Sequence, residues 1–210
     1  MEATDPATTP LDADVPPADP AYVTRLTAVR AEPAVDGTAP SDEDLDTILA
    51  VAASVPDHGD LMPWRFAVCS GAGRDRLSHA LVAGLRERRG DDLPDAVVAK
   101  MAAKPYAAPC QVVLVASPDP SSNVEVWEQV ASASCTGYAV VLAATGLGYG
   151  AVWKSAPVLD TGPVRDLFDC GPDEVLLGWV NVGTPAPLGR KALVAGAPVD
   201  LDGRVQRLDA

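Results

Sequence analysis

Residues 130–153 read VASASCTGYAVVLAATGLGYGAVW, without a single charged side chain. A run of that length first raises a membrane span. Its Ser, Thr, Gly and Ala content leaves too little aliphatic density for insertion. The reading that fits is a long helix from about Val124 to Gly146, buried on all sides, and then a glycine turn. Ala131, Ser132, Ala133, Ser134, Gly137 and Ala139 let another backbone come close. That backbone belongs to a core neighbour or to the same helix of a second subunit, and the sequence leaves both open. Tyr149–Lys154 follows as a strand.

On the N-terminal side, Ser41 caps a helix, with Asp44 three residues on. Leu45, Ile48, Leu49, Ala52 and Ala53 recur at helical spacing, and Pro56 ends it. Pro56–Pro63 is a loop and Trp64–Cys69 a strand. Gly71 and Gly73 turn the chain into an amphipathic helix, Arg74–Arg89. A further helix is expected over Asp95–Lys104, and a buried strand over Gln111–Ala116. On the C-terminal side, Pro163–Phe168 is a short helix and Val175–Val182 a second buried strand. Gly183–Ala210, rich in Pro and Gly, reads as an arm along the surface. Strands and helices mix without βαβ repetition, which argues an α+β fold.

The chain has 210 residues, enough for one ordinary domain. It carries 29 acids against 16 bases, a net charge of −13, and 48% apolar residues. That balance excludes nucleic acid as a partner and disfavours an anionic membrane. Five acids, five prolines and no Lys or Arg fall between Met1 and Thr24. Residues 1–24 are therefore expected as a solvated tail and 25–210 as the single domain. The tail lacks the basic start and apolar run of a signal peptide. Cys69, Cys110, Cys135 and Cys170 have no CxxC spacing, so they read as buried thiols in a reducing cytoplasm.

Familiar reactive constellations are missing. His58 and His79 are the two histidines, and neither has ligand spacing to a second His or Cys, so no metal site is expected. No P-loop or G-x-S-x-G occurs. Gly71-Ala72-Gly73 and Gly146–Gly150 imitate dinucleotide-binding glycines but read as turns, since one lacks its third glycine and the other lies between helix and strand. No side chain stands out as catalytic. Chemistry carried by a bound cofactor fits such a chain.

Four stretches together resemble the nitroreductase family, most closely its short bacterial members. They are Val55-Pro56-Asp57-His58 with Met62-Pro63-Trp64-Arg65-Phe66, then Trp127-Glu128-Gln129 with the uncharged helix, Gly150–Ser155 (GAVWKS), and Gly178–Pro185 (GWVNVGTP) with Arg190 and Lys191 beyond. The resemblance runs from about Leu45 to Lys191 in order. It implies a mainly antiparallel sheet flanked by helices, in an intertwined homodimer. It implies FMN at the dimer interface, NAD(P)H as electron donor, and a nitroaromatic, quinone or similar small acceptor. By the same resemblance Trp153, Lys154 and Ser155 wrap the flavin ring. His58 and Pro63 lie in the loop under it. Gly183 and Thr184 form the turn ahead of the phosphate arm, and Arg190 or Lys191 meets the phosphate. Trp64 reads as packing rather than cofactor contact.

Two places depart from the family pattern. Val29-Arg30-Ala31 stands where Arg-Arg-Ser is usual, leaving Arg30 as the one guanidinium there. Charge-assisted contacts are worth ~1.5–3 kcal/mol each, so the substitution weakens a phosphate site. Asp60, Leu61 and Met62 stand where a polar residue and Gln usually precede Pro-Trp. Two other readings therefore stay open: a member that binds flavin or another ligand without turnover, and an enzyme with a different cofactor such as a deazaflavin.

Overall fold

The computed structural model describes residues 18–29, 35–185 and 200–208. Chain contacts divide into two units: 30–192, and 1–29 with 193–210. In the smaller unit, α1 spans Pro20–Ala28, with the Asp19 carboxylate accepting from the Tyr22 amide at 3.0 Å. Pro20 sits in the first turn, where its missing N–H costs nothing. This helix crosses the boundary expected at Thr24, because an Asp-Pro start is a helix cap as well as a tail composition. Tyr22 and Val23 on it are exposed.

The larger unit is built on an antiparallel sheet. In chain order it contains β1 (Val35–Asp36), α2 (Asp42–Ala53), β2 (Trp64–Ser70), α3 (Gly73–Arg89), α4 (Asp95–Ala102) and a 3₁₀ turn (Lys104–Ala107). There follow β3 (Cys110–Ala116), α5 (Val126–Gly146), β4 (Gly150–Lys154), α6 (Gly162–Leu167) and β5 (Val175–Pro185). β3 and β5 form the centre. β2 pairs with the far edge of β3, while β4 and β1 pair with β5. All seven residues of β3 are buried, as a continuous apolar run predicts.

Alternate residues of β3 serve opposite cores. Val113 and Val115 join Trp179, Leu77, Leu81 and Phe168 under α3 and α6. Leu114 lies on the other face, toward Gly137 of α5. α2 packs on α5 there. Its Ser41 hydroxyl accepts from the Asp44 amide at 3.1 Å, and Asp42, Glu43 and Asp44 oppose the helix dipole.

Three elements differ from expectation. The helix expected to reach Lys104 ends at Ala102 and tightens into the 3₁₀ turn, because Pro105 has no N–H to continue the α-helical ladder and sits instead in the first turn of the 3₁₀ helix. β5 runs on through Gly183 and Thr184 to Pro185, paired with Gly150 and with β1, so the surface arm does not begin at Gly183. α5 is not buried on all sides within the chain. Gln129, Ala133, Thr136, Gly137, Val140, Val141 and Ala144 face inward. Trp127, Ala131, Cys135 and Tyr138 form an exposed stripe. The buried-thiol reading holds for Cys69 and Cys110, whose pKa values burial raises, Cys110 to about 11. Cys135 is exposed and Cys170 half-buried, so for these two it is corrected.

Candidate functional site

The loop before β2 is held by one carboxylate. Asp57 accepts from the amides of Leu61 at 2.7 Å and Met62 at 3.1 Å. Asp60 and Met62 adopt left-handed backbone, with φ of 51° and 45°. Such strain in non-glycine residues costs on the order of 1–3 kcal/mol each and marks a loop built for a shape. His58 reaches from it to Glu128 of α5, Nδ1 to Oε2 at 3.1 Å. Both Met62 and His58 are exposed. Pro63 is buried, and its carbonyl accepts from the Ser117 amide at 2.9 Å. Its visible role is to fix the loop to the sheet.

β4 delivers the second group. The Trp153 indole donates to the Leu177 carbonyl at 3.2 Å and fills the space over two glycines. A Cβ on Gly137 would lie 2.8 Å from its ring, and one on Gly178 would lie 3.1 Å from its Nε1. Trp153 is thus a packing residue that aligns the end of β4. Lys154 and Ser155 beyond it are exposed, and Lys154 makes no ion pair among the described residues. The Ser155 carbonyl accepts from Lys104 Nζ at 3.4 Å.

Gly183 and Thr184 lie elsewhere. Gly183 pairs with Gly150, and Lys154 with Trp179, at opposite ends of β4. Four residues of strand separate them, ~13 Å at ~3.3 Å per residue. The Thr184 hydroxyl donates to the Thr38 carbonyl at 3.4 Å. Trp64 on β2 and Lys154 on β4 stand on opposite edges, three strands apart and offset along the sheet, Trp64 at the level of Val175 and Lys154 at the level of Trp179. Arg30, Ala31, Arg190 and Lys191 lie outside the described residues. One chain therefore sets the expected contacts at three separate places.

A cleft of about 440 Å³ opens beside α6, lined by Arg88, Leu159, Asp160, Arg165, Glu174 and Leu176 among others. It contains none of the expected site residues. Its charges are spent internally: Arg88 pairs with Asp160, and Arg165 donates to the Glu174 and Gly171 carbonyls. Among the described residues no group of three or more His, Cys, Asp or Glu side chains could hold a metal ion. None of the described helices is long and apolar enough to cross a membrane.

Three contributors received no role from the sequence. Asp57 shapes the loop, and its signal was an acid four residues before the turn. Gln129 is buried at the start of α5. It accepts from the Asp119 amide at 2.8 Å and donates to the Asp119 and Val124 carbonyls at 3.0 and 2.9 Å. Lys104 gave no signal, since its neighbour Ser155 is remote in the chain.

The geometry thus combines exposed donors at the end of β4 with a strained loop beside the central helix of an α+β sheet protein. Residues 34–184 match the Nitroreductase family, and the chain belongs to it. Over 164 residues it is 34% identical to YdjA of Escherichia coli K12, provisionally named an NAD(P)H nitroreductase, covering 78% of this chain and 85% of that one. A Haemophilus influenzae protein of the same provisional name is 31% identical over 163 residues, covering 77% of this chain and 87% of the other. The fold matches a nitroreductase-like family protein of Bacillus cereus with a TM-score of 0.69 at 20% identity, over 90% of this chain and 96% of that one. It matches the FMN-dependent nitroreductase NfnB of Mycobacterium smegmatis, solved with NADPH, with a TM-score of 0.67 at 19% identity, over 90% and 99% of the two chains.

Proposed function

We propose that this protein is a homodimeric, FMN-dependent oxidoreductase that takes a hydride from NAD(P)H and passes it to a nitroaromatic, quinone or similar small acceptor. The observation that carries the reading is the end of β4. There Lys154 and Ser155 offer exposed donors, with no acid paired to Lys154 among the described residues. That donor set suits the acceptor-rich edge of a flavin. Relatives at 34% and 31% identity named as NAD(P)H nitroreductases support the donor assignment. FMN, when bound, supplies the hydride-accepting and hydride-donating centre. The chain's part is to hold the ring edge with Lys154 and Ser155, shape the loop carrying His58 and Pro63, and bind the phosphate with Gly183, Thr184, Arg30 and Arg190 or Lys191.

A second copy of the chain is part of the same proposal. The exposed stripe of Trp127, Ala131, Cys135 and Tyr138 is an uncharged face for that partner. We place the protein in the cytoplasm, a reading supported by its four free cysteines.

An absorbance spectrum of the purified protein, then NADPH addition, is the test. A yellow protein that bleaches supports the reading. A yellow protein that stays oxidised favours the non-catalytic binder, the reading that Val29 and Ala31 beside Arg30 support. A colourless protein that takes up no FMN overturns the cofactor assignment and favours another, such as a deazaflavin.

A further inference from the structure

Beyond the residues already assigned, one segment is anchored far more firmly than its position requires. Residues 102–108 connect α4 to β3 and are gripped through their backbone carbonyls by three side chains. Ser78 donates to the Ala102 carbonyl at 2.9 Å, and Arg74 to the Ala108 carbonyl at 3.3 Å. Gln111 donates to the Pro105 carbonyl at 2.7 Å and the Ala108 carbonyl at 2.9 Å. Gln111 is fully buried in β3, and its Oε1 has no partner. An unpaired buried acceptor is costly, but an aliphatic residue there would leave the Pro105 carbonyl without its amide donor. The amide is retained at that cost, and both bonds it makes hold this turn.

Lys104 is the side chain that extends from this turn to β4. Its ammonium meets the Ser155 carbonyl at 3.4 Å, has no carboxylate partner among the described residues, and is half-buried. Of its three donors, one is used on Ser155. The anchored turn therefore holds a cation against the backbone of the residue that follows Lys154.

We infer that Lys104 is a positioning residue for the cofactor-facing turn at Lys154–Ser155, with Gln111 fixing the turn that carries it. The pin on Ser155 stands on this chain alone. Its consequence for FMN rests on the reading given under Proposed function. The ammonium orients the Ser155 carbonyl and thereby sets the direction of the Lys154 and Ser155 side chains. It also adds positive charge where an electron-rich ring edge would lie.

Two measurements on the full chain test this. The first needs no cofactor: hydrogen exchange of the 150–158 segment in wild type, Lys104→Met and Lys104→Arg. Faster exchange in Lys104→Met, largely restored in Lys104→Arg, with α3 and β3 unchanged, is expected. Equal exchange in wild type and Lys104→Met overturns the pin. The second is FMN titration by fluorescence quenching together with the flavin midpoint potential. Lys104→Met is expected to bind FMN about tenfold more weakly and to show a lower potential, both recovered by Lys104→Arg. Gln111→Leu, which removes both bonds to the turn, is expected to lower Tm and to weaken FMN in the same direction. Wild-type affinity and potential in Lys104→Met overturn the cofactor role. A wild-type protein that binds no FMN overturns the FMN reading and this consequence of it, and the exchange result then decides the pin by itself.

Discussion

The guanidinium of Arg65 closes a two-point ion pair on the carboxylate of Glu174, Nε to Oε1 at 2.7 Å and Nη2 to Oε2 at 2.6 Å. The pair joins β2 to the loop before β5. Ser117 donates to the same carboxylate at 2.5 Å and the Gly171 amide at 3.0 Å, while Arg65 also reaches the Phe168 carbonyl at 2.8 Å. Every lone pair of a mostly buried carboxylate is thereby engaged, and three connections of the fold meet at one point.

The pair predicts an acid-sensitive staple. Hydrogen bonding from Arg65, opposed by burial and aided by Ser117 and Gly171, lowers the Glu174 pKa from 4.5 to about 2. The folded value lies below the unfolded one, so the stabilisation is fully present above pH 4.5. It is lost as pH falls toward 2. Allowing for solvent around the half-exposed Arg65, it is worth ~2 kcal/mol. Urea unfolding of wild type and Glu174→Gln should differ by that amount at pH 7 and converge as pH drops through this window. A difference independent of pH would sink the assignment.

A second prediction concerns the ground under Trp153. Gly178 has φ of +119°, and a Cβ there would lie 2.2 Å from the Lys154 carbonyl oxygen, a backbone atom. Gly178→Ala must therefore push β4 away from β5 or strain the strand, at ~2–4 kcal/mol. Thermal unfolding should show a Tm lowered by several degrees or little soluble protein. Gly137→Ala meets the movable side chains of Leu114 and Trp153, at 2.6 and 2.8 Å, so its loss should be smaller. Equal Tm values for Gly178→Ala and wild type would contradict the strand geometry.

Much of this architecture is legible in the sequence because it is local. The apolar run of β3, the four-residue spacing of Leu77, Leu81 and Leu85 in α3, and the Ser41 cap each occupy a few consecutive turns or residues. β1 was not legible, since two residues carry no period and gain their pairing only from Thr184 and Pro185 across the chain. For the site, the types of side chain could be read but not their assembly. Lys154 and Ser155 are exposed, Pro63 is buried and Trp153 packs against glycines, placements that side-chain type alone does not specify. The contacts of Lys104 with Ser155 and of Gln111 with the Pro105 carbonyl depend on tertiary placement, which a lone Lys or Gln in the sequence does not announce.

The cap on α2 gives a third prediction. Ser41 Oγ satisfies the Asp44 amide, one of the otherwise unpaired donors of the first turn. Ser41→Ala should lower stability by ~1 kcal/mol, and Ser41→Asp should retain most of it. Denaturant midpoints of the three proteins check this. A loss in Ser41→Asp as large as in Ser41→Ala would show that the hydroxyl has another role.

The last prediction tests the second subunit through α5. Trp127, Ala131, Cys135 and Tyr138 follow one another at spacings of four, four and three, so they share a helix face, and in the single chain that face is open. Tyr138 is 54% exposed, so Tyr138→Glu costs the isolated chain little, while a carboxylate buried between two uncharged helices would be expensive. Gel filtration should therefore move from dimer to monomer in Tyr138→Glu, with the circular dichroism spectrum kept. Cys135 supplies an internal reporter. Its thiol should react slowly with maleimide in the wild-type dimer and quickly in Tyr138→Glu, while Cys69 and Cys110, buried in the sheet, stay unreactive in both. If FMN contacts come from two chains, the monomer should also lose bound flavin. A wild-type protein that elutes as a monomer with Cys135 fully reactive would mean that this face of α5 meets solvent and that the site is completed within one chain.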